Sequence, residues 1–319
     1  MPADRLIALP LALSLAAPAL ALTPDDVASV TYEGGDLPDG QSALTMTVQV
    51  LLDRAGISPG IVDGYKGGMS ESAIRAFEAR EGFDADGVLD PEVWAALGGP
   101  EAAPVLTDYT VTEADAEGLV DAIPDDVRAK SEMESLGYVR VSERLAERFH
   151  MDEDVLIAFN EGTEIAPGAT IRVADPGAPA EAEVARIEIR KAEGRAVAFD
   201  DDDAILVSYP VTIGSEDTPS PEGTVEVVAV AMDPTYSYDP EKNFVADGVE
   251  EALTLPPGPN GPVGTVWIDL SKPTFGLHGT DEPATLFKTY SHGCVRFTNW
   301  DVEELAGMVS QGVSVAFLE

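Results

Sequence analysis

Only one cysteine, three histidines and 19 basic side chains occur in a chain of 319 residues. One thiol cannot close a disulfide within the molecule, so no disulfide framework is available. His150, His278, His292 and Cys294 are too few and too scattered to form a metal-ligand cluster, and no metal or other cofactor is expected. Against 58 acidic residues the basic deficit leaves a formal charge of −39, which repels nucleic acid and anionic membrane surfaces. Such a charge serves solubility, or else draws in cationic groups such as a substrate amine; composition alone leaves both open. Long apolar runs are also missing. Nothing beyond the first stretch approaches the roughly 20 apolar residues a span needs, so no membrane span is expected in the mature form.

The N-terminus has the features of a targeting segment. Arg5 precedes an apolar run over residues 6–15 that contains Pro10, and Ala19-Leu20-Ala21 supplies the small residues of a cleavage site. A signal peptide is therefore expected over residues 1–21, with no cysteine after it to carry a lipid, and an exported protein of the periplasm or cell wall. In an oxidising compartment an accessible free thiol is a liability. Cys294 lies between polar and glycine neighbours in Ser291-His292-Gly293-Cys294-Val295-Arg296. It therefore reads as an activated nucleophile rather than an inert core cysteine.

Three kinds of organisation follow along the chain. Over residues 41–98, Leu44, Val48, Leu51 and Leu52 repeat at helical spacing and Gly56 stops the helix. Ser70 is the expected N-cap of a second helix carrying Ala73, Ile74 and Phe77, and Asp90-Pro91 opens a third. Asp84, Asp86 and Asp90 lack the loop and terminal glutamate of a calcium site and read as turn chemistry. Residues 99–135, poor in large apolar side chains, read as a linker. From residue 136 to 176 the expected order is strand (Tyr138 to Val141), helix after Ser142, helix after Asp152, and strand (Thr170 to Val173). His150 falls there with no metal-ligating company and reads as a surface or capping residue. From residue 183 to 319 the pattern is mainly β, with an acidic hairpin tip at residues 200–203 and one helix from Asn299 or Asp301.

A thiol near pKa 8.5 needs an imidazole to take its proton. Were residues 292–294 extended, His292 and Cys294 would share a face; His278 would instead approach through a hairpin. Backbone N–H groups of Gly293 and Cys294 are candidates for an oxyanion hole, and Ser291 for orienting an imidazole.

These motifs resemble known families. The run from Val48 to Gly56, with Asp63-Gly64, Ala73 to Phe77 and Asp86-Gly87-Val88, resembles the three-helix peptidoglycan-binding domain. The 136–176 segment, with Asn160 and Pro167-Gly168, resembles a LysM-like βααβ module. His278-Gly279-Thr280 and Ser291-His292-Gly293-Cys294-Val295-Arg296 resemble the YkuD-type L,D-transpeptidase catalytic domain. Pro221 to Thr224, Asp233 to Tyr236 and Pro262 to Trp267 support the likeness. The implied fold is α+β and multidomain, with a mainly-β catalytic domain at the C-terminus. The resemblance implies Cys294 as nucleophile and His278 as general base and acid. Gly293, His292 and Ser291 would support the loop, and Arg296, Gly279 and Thr280 would contact substrate. Peptidoglycan tetrapeptide stems are the implied substrate, with a second stem, a wall-anchored protein or water as acceptor, and carbapenems as covalent inhibitors at Cys294. Leu286-Phe287 and Glu222 depart from the family pattern and bear on substrate preference rather than chemistry.

Overall fold

The computed structural model describes residues 22–240 and 249–319, so the leader expected over residues 1–21 lies outside the described residues. The helical domain forms as its periodicity requires. Helix Ala43–Arg54 starts where Ser42 Oγ accepts from the Thr45 N–H at 3.0 Å, and Gly56 beyond it adopts φ +74°. Helix Gly68–Glu81 begins earlier than expected, with Gly67 at the N-cap; Ser70 is instead the third helical residue. Its Oγ accepts from the Gly67 N–H at 2.9 Å, closing the same gap from inside the helix. Asp90 caps Pro91–Ala96 by accepting from Glu92 and Val93.

The middle module departs from expectation in its first strand. Tyr138 to Val141 forms no strand: Val139 N–H is taken by Glu143 Oε2 at 2.7 Å, and the helix Val141–Arg148 starts directly after Arg140. The pairing partner is β1 (Leu106–Thr110), within the stretch read as linker, which runs antiparallel to β2 (Thr170–Ala174). Alternating burial along β1 gives it a half-buried face that the acidic composition of its flanks concealed. Helices Val141–Arg148 and Glu153–Phe159 follow, the latter capped by Asp152.

The C-terminal domain is built on β3 (Arg186–Arg190), β4 (Arg195–Phe199), β5 (Ile205–Pro210), β6 (Gly223–Met232), β9 (Val266–Leu270), β10 (Gly276–His278), β11 (Val295–Arg296) and β12 (Ser314–Leu318). Strands β7 (Tyr236–Tyr238) and β8 (Leu253–Leu255) form a separate pair. The order across the main sheet is β11-β10-β9-β6-β12-β3-β4-β5. Its core face carries Ile187, Val207, Ile268, Leu277, Val295 and Val315, against which helix Asn299–Met308 packs Val302 and Leu305. Each such side chain contributes about 1.5–3 kcal/mol by burial.

Edge strand β5 is covered by the helical domain. Ser58 N–H donates to Ser208 O and Ser208 N–H to Gly56 O, both at 2.9 Å, so the exposed ladder of an edge strand is satisfied. Buried Arg195 donates to Ser58 O and Ser208 O, and Ser58 Oγ donates to Asp301 Oδ2 at 3.0 Å. His150 is not the isolated surface residue expected. Its Nδ1 lies 2.7 Å from Asp53 Oδ2, and its ring stacks on Trp300 at 5.3 Å. Helical domain, middle module and C-terminal domain thus meet at one polar junction.

Candidate active site

Strand register alone assembles the site. β10 runs parallel to β11 with Leu277 opposite Val295 and His278 opposite Arg296, which sets Gly276 beside Cys294 one step earlier. β9 runs antiparallel to β10 with Trp267 opposite His278 and Asp269 opposite Gly276. β6 continues both rows with Ala231 opposite Trp267 and Ala229 opposite Asp269. Since side chains alternate between faces, Leu277 and Val295 point into the core, fully buried. The opposite face carries one row of Arg296, His278, Trp267 and Ala231, and a second of Cys294, Gly276, Asp269 and Ala229. His278 and Cys294 therefore share a face of the sheet on adjacent strands.

The imidazole of His278 is held on two sides. Its Nδ1 lies 2.7 Å from Gly279 O, and its ring stacks on Trp267 with centroids 5.6 Å apart and planes 17° from parallel. A carbonyl can only accept, so Nδ1 carries the hydrogen and Nε2 keeps its lone pair. Burial pushes His278 down to about 4, helped by the Arg296 charge and opposed by the Gly279 bond. The ring is accordingly a neutral base at ordinary pH. Burial also pushes the Cys294 thiol up, against the Gly276 N–H and the Arg296 charge, which draw it down. The resting pair is a thiol beside a neutral imidazole, not a preformed thiolate–imidazolium pair.

A tight loop presents the thiol. Ser291 Oγ donates to Cys294 O and accepts from the Gly293 N–H at 3.1 Å. The Gly293 N–H, expected as an oxyanion donor, is thereby engaged in the loop. Gly293 adopts φ +111°, and a Cβ there would lie 2.8 Å from Phe275. With that residue in left-handed backbone, residues 292–294 are not extended, so the alternation that would align His292 with Cys294 does not apply; His292 is exposed. Ser220 Oγ donates to Gly293 O at 2.8 Å and Thr218 Oγ1 to Ser291 O at 3.0 Å, clamping the loop from residues 212–220. The thiol itself donates to Thr274 O at 3.7 Å.

Two expected substrate contacts face inward. Thr280 is buried and its Oγ1 accepts from the Glu282 N–H at 3.2 Å; Gly279 is pressed against Asn299 Oδ1, 2.2 Å from where a Cβ would stand. Arg296 is different. Its Nε is buried without a partner, and among the described residues its guanidinium meets no carboxylate. Its charge reaches Asp281 without a salt bridge, which leaves the Nε–H as a donor for a ligand. Asp269, Ser220 and Thr218 escaped sequence reasoning, and Trp267 entered it only as the end of a supporting motif, not as a site residue. The period-two pattern of β9 was the available signal for Trp267 and Asp269. The clamp depends on backbone geometry that no spacing encodes.

Comparison with known proteins adds two domain matches. Residues 184–316 match the YkuD L,D-transpeptidase catalytic domain, and residues 41–97 match a peptidoglycan binding domain. L,D-transpeptidase YkuD of Bacillus licheniformis is 31% identical over 123 residues, covering 39% of this chain and 59% of that protein. YkuD of Bacillus subtilis is 32% identical over 111 residues, covering 35% and 52%. The chain thus spans a little over half the length of these curated relatives. An L,D-transpeptidase structure from Xylanimonas cellulosilytica aligns over 91% of this chain and 100% of its own, with 14% identity and a TM-score of 0.39, too low to carry functional weight. The β-rich C-terminal domain thus matches the YkuD L,D-transpeptidase catalytic domain, and the N-terminal helical domain a peptidoglycan binding domain.

Proposed function

We propose that the protein is an exported L,D-transpeptidase that transfers peptidoglycan stem peptides through a thioester on Cys294. The observation that carries this reading is the fixed tautomer of His278, whose Nε2 lone pair serves the sheet face it shares with the thiol. Nε2 takes the thiol proton as Sγ attacks the L-centre carbonyl of the third residue in a tetrapeptide stem. The Cys294 N–H donates to the developing oxyanion, an interaction worth about 3 kcal/mol. Collapse expels terminal D-alanine, whose amine receives the proton back from Nε2. Arg296, whose Nε has no internal partner, pairs with the carboxylate of that leaving residue, to which its planar fork is suited. The thioester then passes to the amine of a second stem, giving a 3→3 cross-link, or to a wall-anchored protein.

Hydrolysis of the same thioester by water is the second reading, favoured by the exposed positions Ala229 and Ala231 that leave the sheet beside the site open to solvent. Incubating the protein with isolated peptidoglycan and identifying products by mass spectrometry separates the two. Cross-linked dimers joined between third residues support transfer. Tripeptide stems alone support hydrolysis. Wall binding without either product, unchanged in Cys294→Ser, would leave only a scaffold.

A further inference from the structure

The row that contains Cys294 continues over two strands to a carboxylate that the proposed chemistry does not use. Asp269 lies opposite Gly276 in the β9–β10 ladder, and Gly276 lies beside Cys294. Strands are spaced by about 4.8 Å, so Asp269 stands about 10 Å from the nucleophile along the sheet. It is only partly buried. Its Oδ1 accepts from Trp267 Nε1 at 3.3 Å, and among the described residues no group of the protein engages Oδ2. Between carboxylate and thiol the only intervening side chain among the described residues is the indole of Trp267. Gly276 has none, and the Trp267 indole leans into the room it leaves, with Cζ2 only 2.5 Å from where a Cβ would stand. The path from Cys294 to Asp269 is therefore an apolar platform ending in a negative charge.

We infer that Asp269 binds the side-chain ammonium of the donor's third residue, with the intervening methylenes lying on Trp267. This rests on the acyl-transfer reading and adds to it a direction for the bound peptide. A dibasic third residue places an amine several bonds from the attacked carbonyl, a reach that suits the separation given by the sheet. Arg296 is on the strand of the nucleophile and Asp269 two strands away. The leaving carboxylate and the side-chain ammonium would thus diverge from the sulfur in different directions. A donor bound backwards would set each charge against its like.

The test compares two tetrapeptide donors in D-alanine release, one with a free side-chain amine at the third position and one with that amine acetylated. Wild-type protein should show KM about tenfold to a hundredfold lower for the free amine, with kcat changed little. Asp269→Asn keeps an acceptor for Trp267 and removes the charge, so the two donors should become nearly equal. Equal KM values on wild-type protein would overturn the assignment without any substitution. So would a preference for the free amine that survives in Asp269→Asn. Failure of folded wild-type protein to release D-alanine from either donor would instead overturn the transferase reading, and this inference with it.

Discussion

Burial strongly alters the titration of His278, and its pH dependence can be worked out. A solvent-exposed imidazole titrates near 6.5 and at pH 5.5 is about 90% protonated. Held at about 4 by burial and by the Arg296 charge, His278 remains almost wholly neutral at that pH. The lowering of about 2.5 units corresponds to roughly 3 kcal/mol against charging the ring. The proposed acyl transfer requires the unprotonated Nε2, so kcat/KM for D-alanine release should stay level from pH 7 to pH 5 and reach half its plateau near pH 4. Arg296→Gln removes the cation and should move that midpoint upward. It should remain below 6.5, since burial is the larger cause. Far-UV circular dichroism across the range separates titration from unfolding. An acid limb centred between pH 6 and 7 in folded protein would refute the buried neutral base.

Other substitutions test the loop and the junction. Ser291→Ala removes two bonds of about 1 kcal/mol each and should lower kcat roughly tenfold or more with little change in KM, read in steady-state kinetics. Gly293→Ala forces a side chain into φ +111° against Phe275, and should cost about 1–3 kcal/mol in strain and slow acylation of Cys294, followed by mass spectrometry. His150→Ala should destabilise the protein by about 1–3 kcal/mol in urea unfolding, without additivity with Asp53→Asn. Burial disfavours charge on His150, but Asp53 together with Asp301 and Glu304 outweighs it and raises the folded pKa. Its charge therefore stabilises the fold below the unfolded value of 6.5, and that contribution is lost as pH rises through the folded pKa.

Much of the fold is legible in residue order. Leu44, Val48, Leu51 and Leu52 mark a helix by their spacing, although the fold buries every residue from Thr45 to Leu52. Asp90-Pro91 marks a helix start because proline has no N–H to leave unsatisfied. β1 was hidden because its partner, Thr170–Ala174, is remote in sequence and an acidic segment around Leu106 imitates a linker. Cys294 stood out in the sequence as the candidate nucleophile because a lone thiol among glycine and polar residues has little else to do. His278 could not be preferred to His292 from spacing: that depended on the left-handed backbone at Gly293, which breaks the local alternation. The junction of Asp53, His150 and Trp300 was equally out of reach, since it joins three modules that show no mutual pattern.

The most direct measurement is the intact mass of the protein after mixing with a tetrapeptide donor and no amine acceptor. A transient gain equal to the donor's tripeptide acyl group, mapped to Cys294 and absent from Cys294→Ser and His278→Ala, is the expected result. D-Alanine release by folded protein with the acyl group on any other residue, or undiminished in His278→Ala, would contradict it.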